Sequence, residues 1–234
     1  MNRNSFDTGI SIDIFEIDDP EEQKTEIKHH FLLGYYDYTV ILTYAGMLTA
    51  FAGILFAINE SFRQSVICLM LAGICDMFDG TVASTKSRTK KQKRFGIQID
   101  SMSDIIAFGV LPAVTEYMLL GRTVLASVAA CIYVLLALIR LSYFNVLEED
   151  RQNETCGKRT DYLGVPVTTM ALLFPLVYLL YKLDIVRTAA IFPTALLISG
   201  ILFITAVKVR KPENTGKFIL LAIGAAEIIG IILI

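Results

Sequence analysis

Charge is scarce in this chain. Only 19% of its 234 residues are charged, against 54% hydrophobic, and the mean hydropathy is +0.57. So apolar a balance excludes a disordered chain and argues against an ordinary water-soluble domain. Cysteine is sparse as well. Cys68, Cys75, Cys131 and Cys156 show no CxxC spacing, so they suggest neither a zinc site nor a disulfide framework. No internal repeat and no low-complexity tract is evident. Residues 1–28 hold eight acids, three bases and no apolar core, so no secretory signal is expected there. The formal net charge of −2 singles out no partner, and nucleic acid is not expected to be one.

What the chain has instead is apolar length. Seven segments, at about 37–58, 64–84, 97–120, 123–146, 163–182, 188–207 and 217–234, each approach the ~20 residues that cross a bilayer. The expected fold is an all-α polytopic membrane protein. Residues 1–24 read as an acidic, disordered tail. Residues 25–36 read as a segment lying along the membrane surface, and 37–234 as the transmembrane domain.

Lysine and arginine set the orientation. With the N-terminus in the cytoplasm, the inner side carries 17 of the 21 bases and the outer side only Arg63, Arg122, Lys182 and Arg187. The expectation is therefore a cytoplasmic N-terminus and a multi-pass protein of the cell membrane.

Against this background four carboxylates stand out: Asp76, Asp79, Asp100 and Asp104. Ionised side chains inside an apolar helix are costly and usually serve a polar cavity. Asp76 and Asp79 are i, i+3, and Asp100 and Asp104 are i, i+4, so each pair projects from one helix face. Small residues, among them Gly80, Ala83 and Gly96, share those faces and leave room for a ligand to approach the backbone. Crowded carboxylates repel unless cations neutralise them, and hard oxygen ligands select Mg²⁺, Mn²⁺ or Ca²⁺. The bland alternatives are salt bridges to the basic run 85–95 for the acids, and helix packing for the small residues. A divalent-cation transporter is a further alternative for an intramembrane acid cluster.

The stretch Asp76-Met-Phe-Asp79-Gly80-Thr-Val-Ala83, followed by Gly96-Ile-Gln-Ile-Asp100-Ser-Met-Ser-Asp104, resembles the signature of the CDP-alcohol phosphatidyltransferases, D-x2-D-G-x2-A-R, a gap, then G-x3-D-x3-D. It departs at the Arg, which is Ser84 here, and the gap is longer than usual; Lys86 and Arg88 are the candidate substitutes. Within the family, the stretches Phe95 to Ala113, Arg140 to Asn145 and Tyr162 to Pro166 are similar to the integral-membrane phosphatidylserine synthases. The family's first-helix pattern keeps only its end, at Thr43.

The resemblance implies a homodimeric enzyme with a six-helix core, so that a seventh span is an addition. It implies an active site open to the cytosol that takes CDP-diacylglycerol and a divalent cation, Mg²⁺ or Mn²⁺ and two ions. The phosphatidyl group would pass to an alcohol, L-serine by the closer likeness, with glycerol 3-phosphate or inositol phosphate as alternative acceptors. Asp76, Asp79, Asp100 and Asp104 would supply metal ligands, and Asp104 the general base. Gly80, Ala83, Ser84, Lys86, Arg88 and Gly96 would lie against CDP-diacylglycerol. Arg140 and Asn145 would bind the acceptor, with snorkelling as the plain alternative for Arg140.

Overall fold

The structure, a computed structural model, describes residues 34–154, 161–210 and 214–234. The tail 1–24 and most of the surface segment 25–36 lie outside the described residues.

The fold is all-α. Helix α1 (Tyr38–Ile58) is followed by α2 (Phe62–Ala83), α3 (Lys90–Asp104), a π-helical turn (Ile105–Val110) and α4 (Leu111–Leu119). Then come α5 (Val124–Glu154), a 3₁₀ turn (Val167–Thr169), α6 (Met170–Lys182), α7 (Ile191–Ile204) and α8 (Asn214–Leu233). Among the described residues, four helical stretches are long and apolar enough to cross a membrane: α1, α2, the continuous run Lys90–Leu119 and α5. Three shorter apolar stretches, Val167–Lys182, Ile191–Ile204 and Phe218–Leu233, complete the seven. Large apolar side chains cover the outside: Leu125, Phe218 and Leu233 are 64%, 71% and 81% exposed. Water would penalise such a surface, and lipid accommodates it.

The boundaries differ from the expectation in two places. The basic run was expected to be a loop, yet Lys90, Lys91, Lys93 and Arg94 form the first turns of α3. Thr89 starts this helix with a capping box. Its hydroxyl accepts from the Gln92 amide at 3.2 Å, and the Gln92 side chain accepts from the Thr89 amide at 3.1 Å. Helix α5 also runs past the expected end at 146, to Glu154. One two-stranded ribbon interrupts the helices, Asp161–Leu163 pairing antiparallel with Lys208–Arg210.

The seam between α1 and α2 positions everything that follows. On α1 the buried residues Thr39, Thr43, Gly46, Ala50, Gly53 and Ala57 alternate at spacings of four and three. That is the stripe a left-handed helix pair uses, and small residues let the backbones come close. A Cβ added at Gly53 would lie 2.8 Å from Cys68 Cβ, and one at Gly46 would lie 3.1 Å from Cys75 Cβ. Continued one step further in this antiparallel register, the seam sets Thr43 opposite Asp79.

The third span is broken by its own proline. Pro112 has no N–H, so the Phe108 carbonyl loses its usual i+4 donor. The backbone answers with the π turn, in which the Leu111 amide reaches back to Ile106. The hydroxyl of the fully buried Tyr133, on α5, donates to the orphaned Phe108 carbonyl. Around this joint Phe108, Leu111, Tyr133, Phe174, Phe192 and Phe203 form the centre of the apolar core.

Candidate active site

The carboxylates meet where the seam ends. Asp76 and Asp79 sit in the last two turns of α2, and Asp100 and Asp104 in the last turns of α3. All four line one narrow cleft, together with Thr43, Gly46, Ala72, Cys75, Ser103, Ala107 and Phe108. One carboxylate oxygen each from Asp76, Asp79 and Asp100 lie within 4.8 Å of one another. Asp104 lines the same cleft, its carboxyl close to that of Asp76, as that of Asp100 is to that of Asp79.

Such a group is incomplete as it stands. Two ionised carboxylates at this separation repel by about 3–4 kcal/mol near a protein surface. Among the described residues, no base lines the cleft. Two bases of the run 85–95 are engaged elsewhere: Lys86 Nζ with Asp37 Oδ2 at 3.1 Å, and Arg94 with Glu149 at 3.0 Å. Lys86 and Arg94 therefore do not neutralise the four acids. A divalent cation is a partner that such a set of hard oxygen ligands suits. Two oxygens on one ion lie at most about 4.2 Å apart for Mg²⁺ and about 5 Å for Ca²⁺. Asp76, Asp79 and Asp100 can close on such an ion with small side-chain rotations.

Neighbours hold the acids in place. The Thr43 hydroxyl donates to Asp79 Oδ2 at 3.0 Å. The Ser103 hydroxyl donates to the Thr43 carbonyl at 3.4 Å, tying α3 to α1. Thr43 was visible in the sequence only as the remnant of a motif. Its role comes from the four-three spacing of small residues that leads to it.

The other sequence candidates are divided. Gly80 is exposed, and a Cβ added there would meet nothing within 4 Å, so helix packing does not explain this glycine. A Cβ at Gly96 would come within 2.9 Å of an Arg88 guanidinium nitrogen. Arg88 lies over Gly96 and acts electrostatically on Asp79 from the mouth of the cleft. Lys86 points away: besides Asp37, its ammonium lies 5.8 Å over the Tyr38 ring. Thr39, through its hydroxyl first and its amide second, holds the Asp37 carboxyl below the ordinary carboxylate range, and Lys86 adds to this. Ala83 is the last residue of α2. Ser84 is exposed, its hydroxyl donating to the Thr81 carbonyl at 2.7 Å.

Helix α5 brings the remaining pair to different depths. The Asn145 side chain accepts from the Ser101 hydroxyl at 2.6 Å, so it adjoins the helix that carries Asp100. Arg140 is buried, lies 5.3 Å over the Phe144 ring, and has its Nε 3.3 Å from where a Cβ of Gly164 would stand. Gly164 has a φ of +80°, which glycine adopts without strain. Burial at this level does not fit simple snorkelling.

A sequence model of the CDP-alcohol phosphatidyltransferases matches residues 39–212. The chain belongs to the CDP-alcohol phosphatidyltransferase family. This membership decides against a cation transporter. The chain is 26% identical over 176 residues to the CDP-diacylglycerol–serine O-phosphatidyltransferase of Helicobacter pylori, covering 73% of this chain and 69% of that one. It is 29% identical over 168 residues to the protein of the same name from Saccharomyces cerevisiae, covering 68% of this chain and 60% of that one. It is 33% identical over 137 residues to the archaetidylserine synthase of Methanothermobacter thermautotrophicus, covering 57% and 55%. This phosphatidyltransferase thus carries its family signature on the two helices that build the acidic cleft.

Proposed function

We propose that this phosphatidyltransferase moves the phosphatidyl group of CDP-diacylglycerol to L-serine, forming phosphatidylserine and CMP. The observation that carries the reading is the convergence of Asp76, Asp79, Asp100 and Asp104 on one cleft. Relatives whose names share serine as the acceptor support the choice of alcohol.

Asp76, Asp79 and Asp100 would hold a divalent cation, Mg²⁺ or Mn²⁺, and Asp104 would share in a second. When bound, the ions neutralise the pyrophosphate and the charge that builds on the departing CMP. Asp104 takes the proton of the serine hydroxyl. The serine oxygen bonds to the phosphatidyl phosphorus as the bond from that phosphorus to the CMP oxygen breaks. Thr43 is a positioning residue, fixing the Asp79 carboxylate through its hydroxyl.

The cytidine nucleotide lies along the open face at Gly80, Ala83, Ser84 and Gly96. Arg88 takes the place of the missing family arginine, because it already reaches over Gly96 towards Asp79. Arg140 and Asn145 receive the polar groups of serine, the guanidinium being suited to its carboxylate. The Lys/Arg asymmetry supports a cytoplasmic N-terminus and a cleft facing the cytosol of the cell membrane. The tail 1–24, the surface segment 25–36, the transmembrane domain 37–234 and a homodimeric assembly complete the reading, the last by family resemblance.

The test is CMP release by the purified protein with CDP-diacylglycerol and a panel of acceptors. L-Serine is expected to support it, and glycerol 3-phosphate and inositol phosphate are not. Release with glycerol 3-phosphate but none above background with serine would leave only the family assignment standing.

A further inference from the structure

A second polar recess lies at the opposite end of the bundle. Arg63 is the second residue of α2, and Asp76 stands 13 residues further on, about 20 Å along the helix axis. Arg63, Tyr178, Lys182, Ile231 and Ile234 line an open recess of about 250 Å³ between α2, α6 and α8. Tyr178 and Lys182 are i, i+4 on α6, and the Lys182 ammonium lies 5.7 Å over the Tyr178 ring. Arg63 donates to the Ile232 carbonyl near the end of α8, and its charge also acts on the Tyr178 phenol.

Among the described residues, no acidic side chain lines the recess. The acid nearest to Lys182 in sequence, Asp184, pairs with Arg187 at 3.2 Å instead. Two like charges therefore share one concavity at the edge of an apolar bundle, and a main-chain carboxylate at Ile234 would offset only one of them. Capping α8 uses one nitrogen of a guanidinium that has five N–H groups. Snorkelling explains a single lysine, not a recess with a second base and a phenol. A tetrahedral, multiply charged oxyanion suits this set, with the guanidinium fork, the ammonium and the hydroxyl all donating. The surroundings say which kind of oxyanion. Ile231 and Ile234 wall the recess, and Leu183, Ile185 and Leu233, next to its lining residues in sequence, are 54%, 65% and 81% exposed. Such apolar side chains suit acyl chains better than water.

We propose that this recess binds the phosphate group of an anionic phospholipid, at the membrane face opposite the catalytic cleft. The lipid seats α8 against α2 and α6. This site needs neither serine nor CDP-diacylglycerol, so it stands independently of the proposed acceptor.

The test is native mass spectrometry of the full-length, delipidated protein incubated with dioleoylphosphatidylglycerol or with inorganic phosphate. Wild-type protein is expected to retain the lipid. Lys182→Gln should lower retention about tenfold, as for loss of one charge-assisted contact. Lys182→Arg should keep it, and Lys93→Gln, at the other end of the bundle, should leave it unchanged. Arg63→Gln should also lose the lipid, though it additionally removes the bond to Ile232. Lys182→Gln spares that bond, so the result does not depend on how Arg63→Gln folds. Equal lipid retention by wild type and Lys182→Gln would overturn the proposal. So would inorganic phosphate that binds as tightly as the lipid, which would make this a free-anion site.

Discussion

At the residue scale, the departure from the family signature at Ser84 has a structural answer. Two bases follow it closely, and sequence alone leaves Lys86 and Arg88 as equal replacements. Their partners separate them. Lys86 is held by Asp37 and the Tyr38 ring, whereas Arg88 reaches over Gly96 to the mouth of the acidic cleft. Arg88→Gln should therefore raise the apparent KM for CDP-diacylglycerol by about ten- to a hundredfold, as for a charge-assisted phosphate contact. Lys86→Gln should change it by less than about threefold, since an exposed ion pair contributes little. Steady-state CMP release at saturating serine measures both. Equal effects would remove Arg88 from its assigned place. The four aspartates were legible as a group because carboxylates are rare in apolar helices. What the spacing did not reveal was Thr43, whose hydroxyl becomes meaningful only once α1 is laid against α2.

The third span shows what an element-scale reading misses. Hydropathy alone reads 97–120 as one uninterrupted apolar segment. The structure begins its helix at Lys90, because the Thr89 capping box outweighs the run of bases, and breaks it with a π turn after Asp104. Pro112 was present in the sequence as the cause. Its consequence depends on Tyr133 of α5, which supplies the donor that the proline withholds. Tyr133→Phe should leave the Phe108 carbonyl unpaired in the core and cost about 1–3 kcal/mol. Pro112→Ala restores a backbone donor, so the double variant should lose less than the sum of the two single changes. Thermal unfolding in detergent of the four proteins measures the coupling. Strict additivity would mean that the hydroxyl and the proline are unrelated. The short ribbon between 161–163 and 208–210 had no signal at all, since three-residue strands carry no usable periodicity.

Over the whole molecule, the apolar segments foretold seven helices well. Four meet the length of a span and three are shorter, at 14 or 16 residues. Apolar runs overestimate helix length where prolines and turn residues end it early. This explains why 163–182 and 188–207 shrink to α6 and α7. Orientation rests on the distribution of bases rather than on packing. A single cysteine introduced at position 90 in a cysteine-free background should react with a membrane-impermeant maleimide only after the inner face is exposed. Labelling from outside intact cells would invert the topology and the proposed sidedness of the cleft. The central claim joins the acidic cleft, its cation and serine in one reaction. It is tested most directly by following labelled L-serine into lipid in vesicles that contain CDP-diacylglycerol and the purified protein. The account predicts lipid-bound label with Mn²⁺ or Mg²⁺ for wild type, none after EDTA, and none for Asp104→Asn even with the cation restored. Undiminished labelling after exhaustive chelation, or by Asp104→Asn, would contradict it.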